Sequence, residues 1–303
     1  MTFSARAKGE LCRQPLGRKC CAQAEAYGVL LYCNRFDGRE IRIVTESEEF
    51  ARRLPALFRK AFKVEFDRQP AEGALKRIFD IRDPGKLGAI SAVYGYDPAQ
   101  SLAHHINYAV LEEDHCRTAF LRGAFLAGGS VTDPAKRYHL ELATSHYSVS
   151  RELLALLLDA GFQPKQTSRK ANYVTYFKQS VAIEDFLTAI GAPLAAMDMM
   201  NAKAEKDLLG TINRKVNCDA ANLDKTVEAA QEQIEAIQLL ARRGMLQDLP
   251  DKLKEAVDLR AAHPELTLAQ LAELCDPPVS KSAFNHRLRK LMELARQGSC
   301  PPR

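Results

Sequence analysis

The stretch Phe120-Leu-Arg-Gly-Ala-Phe-Leu-Ala-Gly-Gly129 reads as an apolar helix carrying two small residues, Gly123 and Ala127, four positions apart. Earlier in the chain, Ala24-Glu-Ala-Tyr-Gly-Val-Leu-Leu-Tyr-Cys-Asn34 repeats the arrangement with Ala24 and Gly28. Positions i and i+4 share one face of a helix. Small residues there let two backbones approach closely, so these two helices are expected to pack on each other.

The surrounding elements recur in the same order. After the first helix come an alternating strand, Glu40–Val44, a helix from Ser47 to Phe62 and a second strand, Lys63–Phe66. After the second helix come a strand at Tyr138–Leu142, a helix from Ser148 to Ala160, a strand at Tyr173–Phe177 and a closing helix, Val181–Ile190. A supersecondary unit used twice predicts a pseudo-twofold α+β domain whose two sheets make one saddle. The plainer reading is two unrelated core helices with incidental glycines, and the matched downstream order argues against it.

The end of the chain reads differently. Asp251–Ala262 forms an amphipathic helix with Leu253, Ala256 and Val257 on one face, and His263-Pro264 breaks it. Thr267 with Gln270 makes a capping box for a second helix bearing Leu268, Leu271, Ala272 and Leu274. Asp276-Pro277-Pro278 forces a turn, and Ser280 caps a third helix with the stripe Phe284, Leu288, Leu291, Met292 and Ala295. A short helix, a tight turn and a basic amphipathic helix make a helix-turn-helix. The polar side of the last helix offers Lys281, Ser282, Asn285, His286 and Arg289, with Arg287 and Lys290 on its flanks. Asn pairs bidentately with adenine and Arg with guanine, while Lys and Ser contact bases or phosphates.

The bland alternative is a solvated charged helix in an ordinary three-helix bundle, since fold does not fix function. Charge placement tips the balance. From Ser280 onward, Lys281, Arg287, Arg289, Lys290, Arg296 and Arg303 stand against Glu293 alone, an excess equal to the +5 of the whole chain. A basic terminus of this kind is the footprint expected of a protein that binds nucleic acid.

Three segments follow: a saddle domain over residues 1–200, a helical linker over 201–249 and a helix-turn-helix domain over 250–303. In the linker, Leu223, Val227, Ala230, Ile234, Ile237 and Ala241 form a seam suited to packing within the chain, or less readily to a dimer. Arg242-Arg243-Gly244 is expected to end that helix.

Composition excludes several classes. With 46% hydrophobic and 27% charged residues the 303-residue chain has the make-up of a globular protein. It has no apolar run near the ~20 residues a bilayer requires. The basic start, Met1 to Gln14, lacks an apolar core, so no membrane or signal segment is expected and the protein is placed in the cytosol. The eight cysteines, at 12, 20, 21, 33, 116, 218, 275 and 300, show no CxxC pair, and His104, His105, His115 and His139 lack paired ligand spacing. Reduced, mostly buried thiols with no metal and no cofactor are the expectation.

Leu121-Arg-Gly-Ala-Phe-Leu-Ala-Gly-Gly129 resembles the LAGLIDADG motif of homing endonucleases, and Ala26–Asn34 a weaker copy. In that family the eighth motif position is an acid at the helix end, and the two acids hold the metals that cleave DNA. Here Gly128 and Cys33 occupy those degenerate catalytic positions, and neither is a hard-oxygen ligand. Glu25, Asp37, Asp133 and Glu141 lie near in sequence but not where the motif aims an acid. Thr211–Thr226, the Cys20-Cys21 pair with its Ala-rich helix, and Ser280–Lys290 together resemble the WhiA family of bacterial regulators over essentially the whole chain. The resemblance implies a nucleoid-associated transcription regulator linked to cell division and chromosome segregation and, in some lineages, sporulation. Its partner is then double-stranded DNA, with a protein as a further partner of the saddle. Two rival readings are an endonuclease using noncanonical acids and a protein-interaction scaffold of the division machinery.

Overall fold

Gly28 and Gly123 decide how the first two-thirds of the chain is built. In the computed structural model, which describes residues 2–297 except 72, 99 and 102, they lie where α2 (Lys19–Tyr32) crosses α5 (Asp114–Gly128). A Cβ placed on Gly28 collides with the Phe120 carbonyl, and one on Gly123 with the Glu25 carbonyl, so backbone meets backbone at both points. Cys300 and Arg303 lie outside the described residues.

Around this helix pair the chain is repeated. In the first half, α1 (Phe3–Arg13) precedes α2, and β1 (Arg35–Phe36), β2 (Ile41–Thr45), α3 (Glu48–Phe62), β3 (Arg77–Ile81) and α4 (Pro84–Val93) follow it. In the second half, a 3-10 turn at Tyr108–Leu111 leads to α5, β4 (Gly129–Val131), β5 (Leu140–Thr144), α6 (Tyr147–Asp159), β6 (Lys165–Arg169), β7 (Asn172–Phe177) and α7 (Ser180–Ile190). The sheets are antiparallel, ordered β1-β2-β3 and β4-β5-β7-β6. Strands β2, β4 and β5 bury every second residue over at least part of their length, as strands of a half-buried sheet do. Ile41, Ile43, Phe79 and Ile81 of the first sheet and Leu140, Leu142 and Phe177 of the second enter a single apolar core with the inner faces of the helices.

One expectation is corrected here. Lys63–Phe66 is not a strand: Lys63 has φ 60 and donates its N–H to the Arg59 carbonyl, closing α3 with a left-handed residue. The strand that pairs with β2 is Arg77–Ile81, with Ile41 opposite Ile81 and Val44 opposite Ile78. The first half also has its own closing helix, α4, started by Asp83, whose side chain accepts from the Lys86 N–H.

α8 runs from Pro193 to Arg242, and contacts divide the chain within it into units Met1–Asp207 and Leu208–Arg303. Its start is fixed by Glu10, whose carboxylate accepts from the N–H groups of Leu194 and Ala195 at 2.8 and 2.9 Å. Of the predicted seam, Ala230 and Ile237 are buried, whereas Leu223 and Val227 are exposed. Gly244, at φ 71, follows the helix end.

The second unit adds α9 (Asp251–Ala262), α10 (Leu268–Glu273) and α11 (Lys281–Gln297). Ile237, Leu240 and Leu249 join Leu253, Ala256, Leu271, Phe284, Leu288 and Leu291 in its core, so residues read as linker also build this unit. Leu294 takes the core place expected of Met292. Among the described residues no helix is long and apolar enough to cross a membrane.

Candidate nucleic-acid interface

The turn between α10 and α11 is built by local hydrogen bonds that the sequence specifies. Thr267 and Gln270 form the reciprocal capping box at the start of α10. Val279 N–H donates to the Ala272 carbonyl across the turn at 3.0 Å, and Ser280 Oγ accepts from Ala283 N–H at 3.2 Å to open α11. One side chain missed by the sequence reading anchors the approach to α10. Arg260 is buried, and its Nη1 donates to the carbonyls of His263, Pro264 and Leu266 at 3.4, 3.4 and 2.8 Å. A long cation on the apolar side of α9 beside His263-Pro264 was the available signal.

α11 divides cleanly by helical phase. Phe284, Leu288, Leu291, Leu294 and Ala295 face the core. Lys281, Ser282, His286, Arg289 and Lys290 are exposed and Asn285 is half-buried, all on the other side with Glu293 and Arg296.

Arg287 departs from the expectation. At ~100° per residue it lies roughly 200° around the helix from Asn285, and its side chain is only 15% exposed. Its Nη1 donates to Glu255 Oε2 of α9 at 2.7 Å. Glu255 Oε1 in turn accepts from the Asp276 N–H at 2.9 Å. The Asp276 amide and the Arg287 guanidinium hold the Glu255 carboxyl below the usual carboxylate range. Arg287 is therefore a brace between α9, the turn and α11 rather than a free base-reading side chain.

The saddle carries a second charged surface on the face away from its core. Glu40 and Asp80 are buried on the first sheet and gather arginines around them: Arg42 reaches both, at 2.8 and 3.0 Å, and Arg82 reaches Glu40 at 2.8 Å. On the second sheet, the strand Lys165–Arg169 is exposed throughout, and Arg169 lies 3.6 Å from Glu141.

At the ends of α2 and α5 the chain carries Cys33 and Gly128. Cys33 caps α2, its Sγ 3.1 Å from the carbonyl oxygens of both Leu30 and Arg35, either of which can accept its one proton, and burial pushes the thiol up to about 12. Gly128 ends α5 with no room for a side chain, since a Cβ there would sit 2.5 Å from the Ala143 carbonyl and 2.8 Å from the Tyr32 ring. The acids nearby are engaged elsewhere. Glu25 pairs with Arg53 and Arg122, Asp37 with Arg35, and Glu141 with His139 and Arg169; Asp133 accepts from the Ala135 N–H.

The cysteines are less buried than expected, with only Cys116 and Cys275 buried among those described. Cys20, Cys21, His115 and Cys116 place one ligand-type atom each within 4.8 Å of one another, although no spacing in the sequence pairs them.

Comparison with known proteins accords with this architecture. Residues 117–208 match the model of the WhiA LAGLIDADG-like domain and residues 212–295 that of the WhiA C-terminal HTH domain. The chain is 36% identical over 304 residues to the probable cell division protein WhiA of Ruminiclostridium cellulolyticum, with 97% of each covered. It belongs to the WhiA family. Its WhiA relative in Clostridium perfringens strain SM101, also named a probable cell division protein, is 34% identical over 310 residues, with 98% of each covered. The crystal structure of full-length DUF199/WhiA from Thermatoga maritima shares the fold, with a TM-score of 0.60 at 24% identity over 98% of this chain and 99% of that one. The WhiA fold is thus a pseudo-twofold LAGLIDADG-like α+β domain followed by a helical helix-turn-helix domain.

Proposed function

We propose that this WhiA-family chain is a non-catalytic, sequence-specific DNA-binding regulator of transcription that acts in cell division. The observation that carries the reading is the solvent side of α11, where Ser282, Asn285, His286, Arg289 and Lys290 share one face behind a capped turn. A helix presented in this way enters a major groove, with residues near its start at base edges and the cations on its flanks at phosphates. Lys281, Ser282, Asn285, His286, Arg289 and Lys290 form the contact set, and Arg287 fixes the angle of the helix.

The saddle supplies a second surface. Its exposed Lys165–Arg169 strand and carboxylate-held arginines suit phosphates, and strands on such a face can lie in a groove. Cleavage is not part of this function. Two-metal hydrolysis needs carboxylates that bridge the ions; Cys33 is a protonated thiol at neutral pH and the Gly128 position is filled by Tyr32 and Ala143. The relatives' name points to division, and chromosome segregation and sporulation in some lineages are the wider roles we assign to it, with the protein on the nucleoid.

Equilibrium binding to a selected genomic fragment tests the assignment. Asn285→Ala and Arg289→Ala each lower specific affinity by about 1–3 kcal/mol. Lys290→Ala reduces the salt dependence by about one phosphate's worth while leaving sequence preference intact. Parent-like binding by all three variants would contradict the assignment.

A further inference from the structure

The dipeptides Cys20-Cys21 and His115-Cys116 occupy equivalent places in the two halves of the saddle. Cys20 and His115 each stand eight residues before a contact glycine, Gly28 or Gly123, and Cys21 and Cys116 seven. Both dipeptides lie in the first turn of their helices, which begin at Lys19 and Asp114. The backbone contact between α2 and α5 brings those two first turns together about the pseudo-twofold. His115 Nδ1 lies 3.4 Å from Cys21 Sγ and 3.2 Å from Cys116 Sγ, and Cys20 Sγ completes the group within 4.8 Å. With Zn–S near 2.3 Å and Zn–N near 2.0–2.1 Å, the ligands of a tetrahedral zinc ion stand roughly 3.5–3.8 Å apart. The four ligand atoms, all within 4.8 Å of one another, are spread about 1 Å wider than that at most.

We propose that Cys20, Cys21 and Cys116 through sulfur and His115 through Nδ1 form a structural zinc site that clamps the starts of α2 and α5. Three thiolates and an imidazole make a soft donor set that takes zinc in preference to magnesium, calcium or manganese. Four protein ligands leave no open position, so the site is structural. Binding releases three thiol protons and leaves one net negative charge on the zinc and its ligands. The surroundings suit that charge: Arg18 Nη1 lies 3.5 Å from His115 Nε2, and Lys19 follows it in sequence. Neither Arg18 nor Glu113 caps its helix with a side-chain hydrogen bond, and negative charge is favourable near a helix start. The cluster ties residues 95 apart in the chain across the twofold, and this link is independent of whether α11 binds DNA.

Metal analysis of the full-length chain, purified reduced and without chelators, tests the site. One tightly held zinc per chain is expected, lost in Cys20→Ser and Cys116→Ser and retained in His115→Cys and in the control Cys218→Ser. Should the serine variants fail to fold, cobalt titration of the stripped parent decides, with the visible bands of a tetrahedral cobalt–thiolate complex at one equivalent. A reduced parent that holds no zinc and gives no such spectrum would overturn the proposal. So would an iron–sulfide chromophore in place of zinc, or a Cys21–Cys116 disulfide in protein alkylated before lysis.

Discussion

Gly28 and Gly123 mark the two points where α2 and α5 meet backbone to backbone, and a methyl group on either would enter the other helix's main chain. A Cβ on Gly28 would lie 2.6 Å from the Ala124 nitrogen, and one on Gly123 would lie 2.9 Å from the Glu25 carbonyl carbon. The obstacles are backbone atoms, which cannot turn aside as a flexible side chain can. Gly28→Ala or Gly123→Ala is expected to destabilise the saddle by ~2 kcal/mol or more, at the upper end of ordinary overpacking. Chemical denaturation measures this, and unchanged stability would show that the helices separate without loss.

Close helix contact also buries charge. Glu25 and Arg53 are 2% and 4% exposed at their side chains and share two hydrogen bonds, at 2.6 and 2.9 Å. Arg53→Met leaves the Glu25 carboxylate facing Arg122 alone, at 3.5 Å. The expected cost is about 3 kcal/mol, the lower end for a broken buried pair. Adding Glu25→Gln should return part of it. A double variant no more stable than Arg53→Met would contradict this account of the pair.

A third consequence is a pH dependence. His104 and His146 have ring centroids 4.6 Å apart, and burial lowers both below the ordinary value of 6.5, His146 to about 4. Their folded-state values lie below the unfolded one, so the unfolded chain binds protons first on acidification. The stabilisation is complete above about pH 6.5 and is lost as the pH falls toward 4. Unfolding temperatures across that range should fall more steeply for the parent than for His146→Phe, and parallel curves would contradict the assignment.

Within the helix-turn-helix, two neighbouring arginines are predicted to behave oppositely. Arg287→Ala breaks the 2.7 Å contact with Glu255, so it should lower the unfolding temperature and leave the salt slope of DNA binding unchanged. Arg289→Ala, on the exposed side, should do the reverse. Thermal melts and salt titrations of both variants separate the roles, and a shared phenotype would remove the distinction.

Much of this is legible in the sequence. Small residues four apart on two apolar helices announced the twofold, because close backbone approach leaves no other residue type available. The alternating strand before Thr45, the Thr267–Gln270 box and the Phe284–Ala295 stripe are local patterns, and local patterns survive folding. The misreadings came from non-local causes. Lys63–Phe66 alternates like a strand, but the left-handed Lys63 turns the chain away and Arg77–Ile81 pairs instead. Arg287 reads as a flank of the polar face because nothing local reveals its partner, whereas its phase places it beside Glu255 of another helix. The Cys20, Cys21, His115, Cys116 group shows no ligand spacing in the sequence because its halves join only through the repeat. Their matched offsets from Gly28 and Gly123 were the signal that could have revealed it.

The central claim is most directly tested by incubating the purified chain with sheared genomic DNA and Mg²⁺, then sequencing the bound fragments and their ends. The account predicts enrichment of a limited set of sites with intact ends, abolished by Asn285→Ala combined with Arg289→Ala. Discrete new ends at the bound sites would contradict it.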